Sequence, residues 1–206
     1  MIRTKKQIEG VAEEILKCAT KEFLEKGFIN ANLREIAKSC NVSTHSIYTR
    51  FSDKAGLFEA VVASTIEDIE LLKKSYYERN YQLLDDHALM KMWEMPEEVH
   101  KEWINFFYDR YEGMKLLLCC SQGTKYSDFL HDYVTENTKV CMQFIDEARR
   151  RNLPHNDISE EELHLLLTAY WITIFEPIIH DFSREKALEH CKYLSAFFNW
   201  RAIFGF

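Results

Sequence analysis

The chain has few of the residues that interrupt regular structure: of 206 residues, 6 are Gly and 3 are Pro. Collagen-like repeats, low-complexity linkers and turn-dense all-β folds each need more of these, so a protein built from long helices is expected. Long uncharged runs are also missing. The longest, Leu163 to Phe175, covers 13 residues, against about 20 needed to span a bilayer, so no membrane partner is expected. The start, Met1-Ile2-Arg3-Thr4-Lys5-Lys6, has no apolar stretch and cleavage site of the secretory kind. A cytoplasmic, thiol-reduced protein is therefore expected. The six cysteines, Cys18, Cys40, Cys119, Cys120, Cys141 and Cys191, form no CxxC and no zinc-ligand spacing. No cofactor, redox centre or metal is indicated, and they read as small core residues. Leu116-Leu117-Leu118 beside Cys119-Cys120 predicts that this pair is buried too.

What is present is 47% hydrophobic, 29% charged and 14% aromatic, a globular composition. The net charge of −7 is unevenly spread. Residues 1–55 carry ten Lys/Arg against seven Asp/Glu, a net +3, which leaves −10 on the rest. A basic head on an acidic body fits a chain whose first third approaches a polyanion.

Ile8, Val11, Ala12, Ile15, Leu16, Ala19 and Phe23 recur at helical spacing up to Lys26-Gly27, which predicts a first helix. Asn32 is placed to cap a short second helix with Glu35 as its capping-box partner, and Leu33, Ile36, Ala37 and Cys40 form its inner face. Ser43 caps a third helix that turns Ile47 and Phe51 inward, and Ser52 or Asp53 caps a fourth that reaches Lys74. Further helices are predicted over 76–93, 96–112, 114–120, 125–151, 159–181 and 183–203, with Pro177 kinking or shortening the one from Ser159. No strand and no repeat is evident. The fold expected is all-α, with a three-helix domain over 1–55 joined to a helical bundle over 56–206.

Two short helices about a tight turn make a helix-turn-helix. Ala37, Val42 and Ile47 sit where the helices must meet, which leaves Thr44, His45, Ser46, Tyr48, Thr49 and Arg50 without apolar partners. Hydroxyls, an imidazole and a guanidinium on the outer face of a short helix suit a groove that offers phosphates and base edges. The run Leu33-Arg34-Glu35-Ile36-Ala37, then Val42-Ser43, then Ile47-Tyr48-x-x-Phe51-x-x-Lys54-x-x-Leu57 resembles the TetR family of bacterial transcriptional regulators over roughly residues 8–62. The resemblance implies a homodimer whose third helices enter successive major grooves of operator DNA. It also implies a C-terminal helical domain that binds a small molecule and thereby releases DNA. By position it makes Tyr48 and Lys54 phosphate contacts, gives Asn32, Ser43 and Arg50 to the DNA backbone, and turns Thr44 and His45 toward bases. The chain departs from the family where Asn41 replaces a frequent glycine, and where Thr44-His45 replace a basic residue followed by glycine.

The remainder is rich in aromatics, among them Tyr76, Tyr77, Tyr81, Trp93, Trp103, Phe106, Phe107, Tyr108, Tyr111, Tyr133, Tyr170, Trp171 and Phe175. At helical spacing such rings build core, and their excess suits the lining of a pocket for flat or greasy molecules. An apolar, aromatic effector is expected near Trp103, Phe107, Tyr111 and Trp171, and the −10 of this segment tilts it toward a neutral or cationic one. Glu176 and His180 have metal-ligand spacing but make only two ligands. No local nucleophile motif is present, so no enzyme is expected. The last two helices are apolar on more than one face and must be covered by their own domain or by a partner; the family resemblance implies a partner, with dimerisation through residues 159–203 as a four-helix bundle. The function expected is a ligand-responsive repressor. The alternative is an all-helical small-molecule-binding protein or enzyme that does not use its N-terminal motif.

Overall fold

The computed structural model describes residues 5–82, 91, 94–153 and 155–205, with the side chains of 5–9 left out. Among the described residues the fold is helical, without strands. In chain order the helices are α1 (Lys5–Asn30), α2 (Leu33–Ser39), α3 (Thr44–Phe51), α4 (Lys54–Gln82), α5 (Glu97–Tyr108) and α6 (Tyr111–Lys115). A π-helical turn, Leu116–Cys120, precedes α7 (Phe129–Arg150), α8 (Glu160–Ile179), α9 (Arg184–Phe197) and α10 (Trp200–Phe204).

Three of the helices end on asparagine or aspartate in place of glycine. Asn41, Asn152 and Asp181 take φ of 52°, 55° and 54° after α2, α7 and α8. In each case the next residue's N–H returns to a carbonyl five back: Val42 to Ala37 at 2.9 Å, Leu153 to Ala148 at 3.0 Å and Phe182 to Pro177 at 2.8 Å. This is the glycine-type C-cap built on the two residue types whose short polar side chains best tolerate left-handed backbone.

The residues fall into two compact units, one running to Asp68 and adding Tyr111–Asp128, the other combining Ile69–Arg110 with Phe129 to the C-terminus. The sequence division at 55/56 and this division at 68/69 both lie within α4. In the first unit Ile15, Ala19 and Phe23 of α1, Ile36 and Ala37 of α2, Ile47 of α3 and Leu57, Phe58 and Val62 of α4 are buried. Phe58 meets Phe23 and Phe28 edge-on at 5.1 and 5.6 Å. Gly27, at φ 69°, breaks α1 where the sequence placed its end, and one further turn follows. Ile8 belongs to the helix, but its side chain lies outside the described residues.

In the second unit α5 packs on α9 and α8, and α7 packs on α8. Ser159 and Glu162 form a reciprocal capping box at the start of α8, and Pro177 sits inside its last turn, two residues before the end. By length and composition α8 could cross a bilayer. Here Leu163, Leu167, Tyr170, Trp171, Ile174, Phe175 and Ile178 are buried in the unit.

The structure corrects several boundaries. The break expected between Lys74 and Tyr76 is absent: α4 continues to Gln82. The rest of the helix predicted to residue 93, Trp93 included, lies outside the described residues. The helix predicted from 125 starts at Phe129, because Thr124 and Ser127 close turns onto Ser121 and Thr124. The final helix divides at Phe198-Asn199, where the Asn199 side chain accepts the Ala202 N–H and opens α10.

Candidate nucleic-acid interface and ligand cavity

The α2–turn–α3 segment is held by two caps. The Asn32 side chain accepts the Arg34 N–H at 2.9 Å, and the Ser43 hydroxyl accepts the Ser46 N–H at 3.2 Å. The reciprocal half of the expected capping box is made by a different residue: the Asn32 N–H donates to Glu22 of α1 at 3.1 Å, not to Glu35. Glu22 thus ties α1 to the start of α2. Ile47 alone turns α3 fully inward. His45, Tyr48 and Thr49 are exposed, Tyr48 by 51%, and Thr44, Ser46 and Arg50 are half-buried.

Two of the predicted contacts are engaged within the protein. Arg50 folds back along its own helix and donates to the Ser46 hydroxyl at 2.7 Å and carbonyl at 3.0 Å. Lys54 donates to the carbonyls of Ile29 and Ala31 at 3.0 and 3.1 Å, with its ammonium 4.7 Å from the centre of the Phe28 ring. An ammonium has three donors, so one remains. The start of α4 is also capped, since the Asp53 carboxylate accepts the Gly56 N–H at 2.8 Å. The turn before it is tight: Ser52 takes φ 66°, and a Cβ on Gly56 would stand 2.1 Å from the Phe51 carbonyl oxygen. Arg34 and Lys38 were given no role from sequence. Both are exposed and one turn apart on α2, a basic i, i+4 pair that the sequence does display.

The second unit contains a cavity of about 560 Å³, within the range of small-molecule sites. Its walls are aromatic. Trp103 stacks on Tyr76 at 4.4 Å and meets Trp171 edge-on at 5.1 Å, and Tyr133 meets Trp171 at 4.8 Å. Of the four predicted ligand residues, Trp103 and Trp171 line the cavity. Phe107 packs behind them, 6.0 Å from Trp103 and 6.4 Å from Trp171. Tyr111 opens α6 and belongs to the other unit, so it is not part of this wall.

Sequence reasoning missed the polar lining. The Trp171 N–H donates to the Asn137 carbonyl oxygen at 3.1 Å, and Lys73 pairs with Glu70 and Glu136. Four basic residues, Lys73, Lys74, Arg79 and Lys139, face two acidic ones, so the acidity of the C-terminal segment does not extend into the cavity. Burial raises the hydroxyl pKa of Tyr133 and Tyr170, so both stay protonated at neutral pH.

The family description "Bacterial regulatory proteins, tetR family" matches residues 15–61, the segment from within α1 to the first turns of α4. The HTH-type transcriptional regulator SrpR of Pseudomonas putida is 21% identical over 161 residues, 76% of this chain and 67% of that protein. The HTH-type transcriptional repressor BepR of Brucella suis biovar 1 (strain 1330) is 37% identical over 62 residues, 30% of each chain. The N-terminal segment of this chain matches the TetR family. In fold the likeness extends further: NalD of Pseudomonas aeruginosa, the secondary repressor of the MexAB-OprM multidrug efflux pump, superposes with a TM-score of 0.62 at 18% identity over 96% of this chain and 98% of that one. The resemblance read from Leu33 to Leu57 is therefore matched by the family description over the same segment, and the likeness to NalD shows a shared fold.

Outside these features, Glu176 and His180 pair with each other at 2.7 Å. Among the described residues no group of three or more His, Cys, Asp or Glu is placed to hold a metal ion. The expectation for Cys119-Cys120 is half corrected: Cys120 is buried and Cys119 is exposed. The pair lies in the π-helical turn, whose i→i+5 register shifts the inward face relative to an α-helix.

Proposed function

We propose that this chain is a TetR-family regulator, a cytoplasmic, ligand-responsive repressor that binds palindromic operator DNA as a homodimer and is released when a small apolar molecule occupies the cavity of its second unit. The observation that carries the reading is the outer face of α3: Thr44, His45, Tyr48 and Thr49 share one side of a short helix that is packed and capped on its other side. Polar side chains at that spacing match the edges of a major groove. Tyr48 and the remaining donor of Lys54 reach phosphates, with Asn32, Ser43, Ser46 and Arg50 flanking them.

An apolar face on α8 and α9 supports the dimer. Leu165 and Ile172 are seven residues apart on α8, Tyr193 and Phe197 are four apart on α9, and all four are exposed, Leu165 by 70% and Phe197 by 80%. Such a face calls for a partner, and a second copy using the same face closes a two-fold interface. The repressor role follows the names of BepR and NalD, and no enzymatic step is proposed. Helix α4 contributes residues to both units, so a ligand that favours a different tilt of α4 would put the two recognition helices out of step with successive grooves. Linkage then requires DNA to weaken ligand binding by the same factor as ligand weakens DNA binding. Tryptophan fluorescence titrations with and without operator measure this, and equal ligand affinity in both would rule out the coupling.

A further inference from the structure

We infer that the cavity, taken as the effector site proposed above, selects a flat organic acid, with an aromatic body held among its rings and a carboxylate held at its rim by Arg79 and Lys139. The polarity of the wall is divided. Trp103 of α5 and Tyr170 and Trp171 of α8 line the cavity from buried positions, whereas Arg79 of α4 and Lys139 of α7 line it from exposed ones. The guanidinium of Arg79 lies 4.3 Å from the centre of the Tyr76 ring, which stacks on Trp103 at 4.4 Å. One side of the cavity thus runs from a buried indole through a phenol to an exposed cation.

The charge left over on this wall is positive. The lining holds four basic side chains against two carboxylates, a net +2, in a chain whose net charge is −7. Both carboxylates, Glu70 and Glu136, pair with Lys73, and Lys74 pairs with Glu78 at 3.9 Å. Glu102 stands by the Tyr76 hydroxyl, outside the lining. Among the described residues no carboxylate is paired with Arg79 or Lys139. A ligand ammonium would meet these two cations and find the carboxylates of the lining already engaged. A carboxylate at the rim pairs with the cations and keeps part of its hydration, so it avoids the cost of burying an unpaired charge. The Asn80 amide, also in the lining, can donate to it. The flat body then packs against indoles and phenols, as such rings pack against one another.

The test measures binding of three probes of one skeleton to the full-length protein by equilibrium dialysis: 2-naphthylacetate, 2-(2-naphthyl)ethanol and protonated 2-(2-naphthyl)ethylamine. The acid is expected to bind about fivefold more tightly than the alcohol, as for two exposed ion pairs, and the alcohol more tightly than the amine. Exposed pairs are screened, so the acid's advantage should shrink as salt is raised. Arg79→Gln and Lys139→Gln leave the buried rings in place, and each is expected to reduce that advantage without weakening the alcohol. Lys192→Gln, an exposed lysine of α9 outside the lining, should leave it unchanged. Equal binding of acid and alcohol, preference for the amine, or an advantage that survives the Arg79→Gln, Lys139→Gln double substitution would overturn the inference while leaving the cavity as a ligand site. If none of the three probes bound, the effector-site reading itself would fail.

Discussion

Replacing Gly56 with alanine tests whether the α3–α4 turn sets the position of the recognition helix. Glycine is needed here for space, because α4 packs its first turn against the end of α3. An added Cβ would lie 2.1 Å from the Phe51 carbonyl oxygen and 3.2 Å from its carbonyl carbon. Close C···O approaches settle near about 3.3 Å, so the turn must open by about 1 Å. The obstacle is backbone, so no side-chain rotation can relieve it. Overpacking of this kind costs about 1–3 kcal/mol, against which alanine's better helix propensity returns at most about 1 kcal/mol. A net loss of about 1–2 kcal/mol is expected in urea unfolding, with weaker operator binding by fluorescence anisotropy because Tyr48, Thr49 and Arg50 move with the end of α3. Gly10 in α1 is the control: a Cβ there meets no atom within 4 Å, so Gly10→Ala should be neutral or stabilising. If Gly56→Ala matched Gly10→Ala in stability and bound operator normally, the steric argument would be wrong.

Lys54→Met should lower stability by about 1 kcal/mol through loss of the bonds to Ile29 and Ala31, and reduce the salt slope of DNA binding by about one; a stability loss with an unchanged slope would assign Lys54 to the loop alone. Thr44→Ala or His45→Ala should leave that slope and change preference among operator variants. His100 is fully buried, and burial lowers its pKa from the ordinary 6.5. Its contribution to stability is therefore intact above pH 6.5 and declines as pH falls below it, where only the unfolded chain takes up the proton freely. Urea midpoints should drop less between pH 7 and pH 5 in His100→Leu than in the parent, and identical slopes would refute this. Phe197→Glu on the exposed face of α9 should shift sedimentation from dimer to monomer at micromolar concentration, and an unchanged dimer would place the interface elsewhere.

The helix-turn-helix was legible because its signals are local. Asn32, Ser43 and Asp53 announce helix starts, and Asn41 marks the left-handed turn that carries the chain from α2 to α3. Glu22, which holds the start of α2, was not legible, because it acts across ten residues on another helix. The continuation of α4 past Lys74 was missed because no Gly or Pro stops it and its apolar spacing weakens there. In the second unit, composition identified Trp103, Phe107 and Trp171 as neighbours, since dense aromatics at helical spacing must meet in a core. The same reasoning failed for Tyr111, where the chain leaves α5 after Tyr108 and enters α6 in the other unit. Asn137 and Lys73 gave no signal because their roles rest on Trp171 and Glu136, 34 and 63 residues away.

The central claim, that α3 and its flanks bind DNA in a regulator, is tested most directly by fluorescence anisotropy with palindromic DNA from beside the protein's own coding region, titrated across salt concentrations. The expected result is binding tighter than to scrambled DNA of the same length, with the logarithm of affinity falling linearly with the logarithm of salt as phosphate contacts release counterions. Absence of binding at low salt to every fragment of that region, or binding equal to scrambled DNA, would contradict the account.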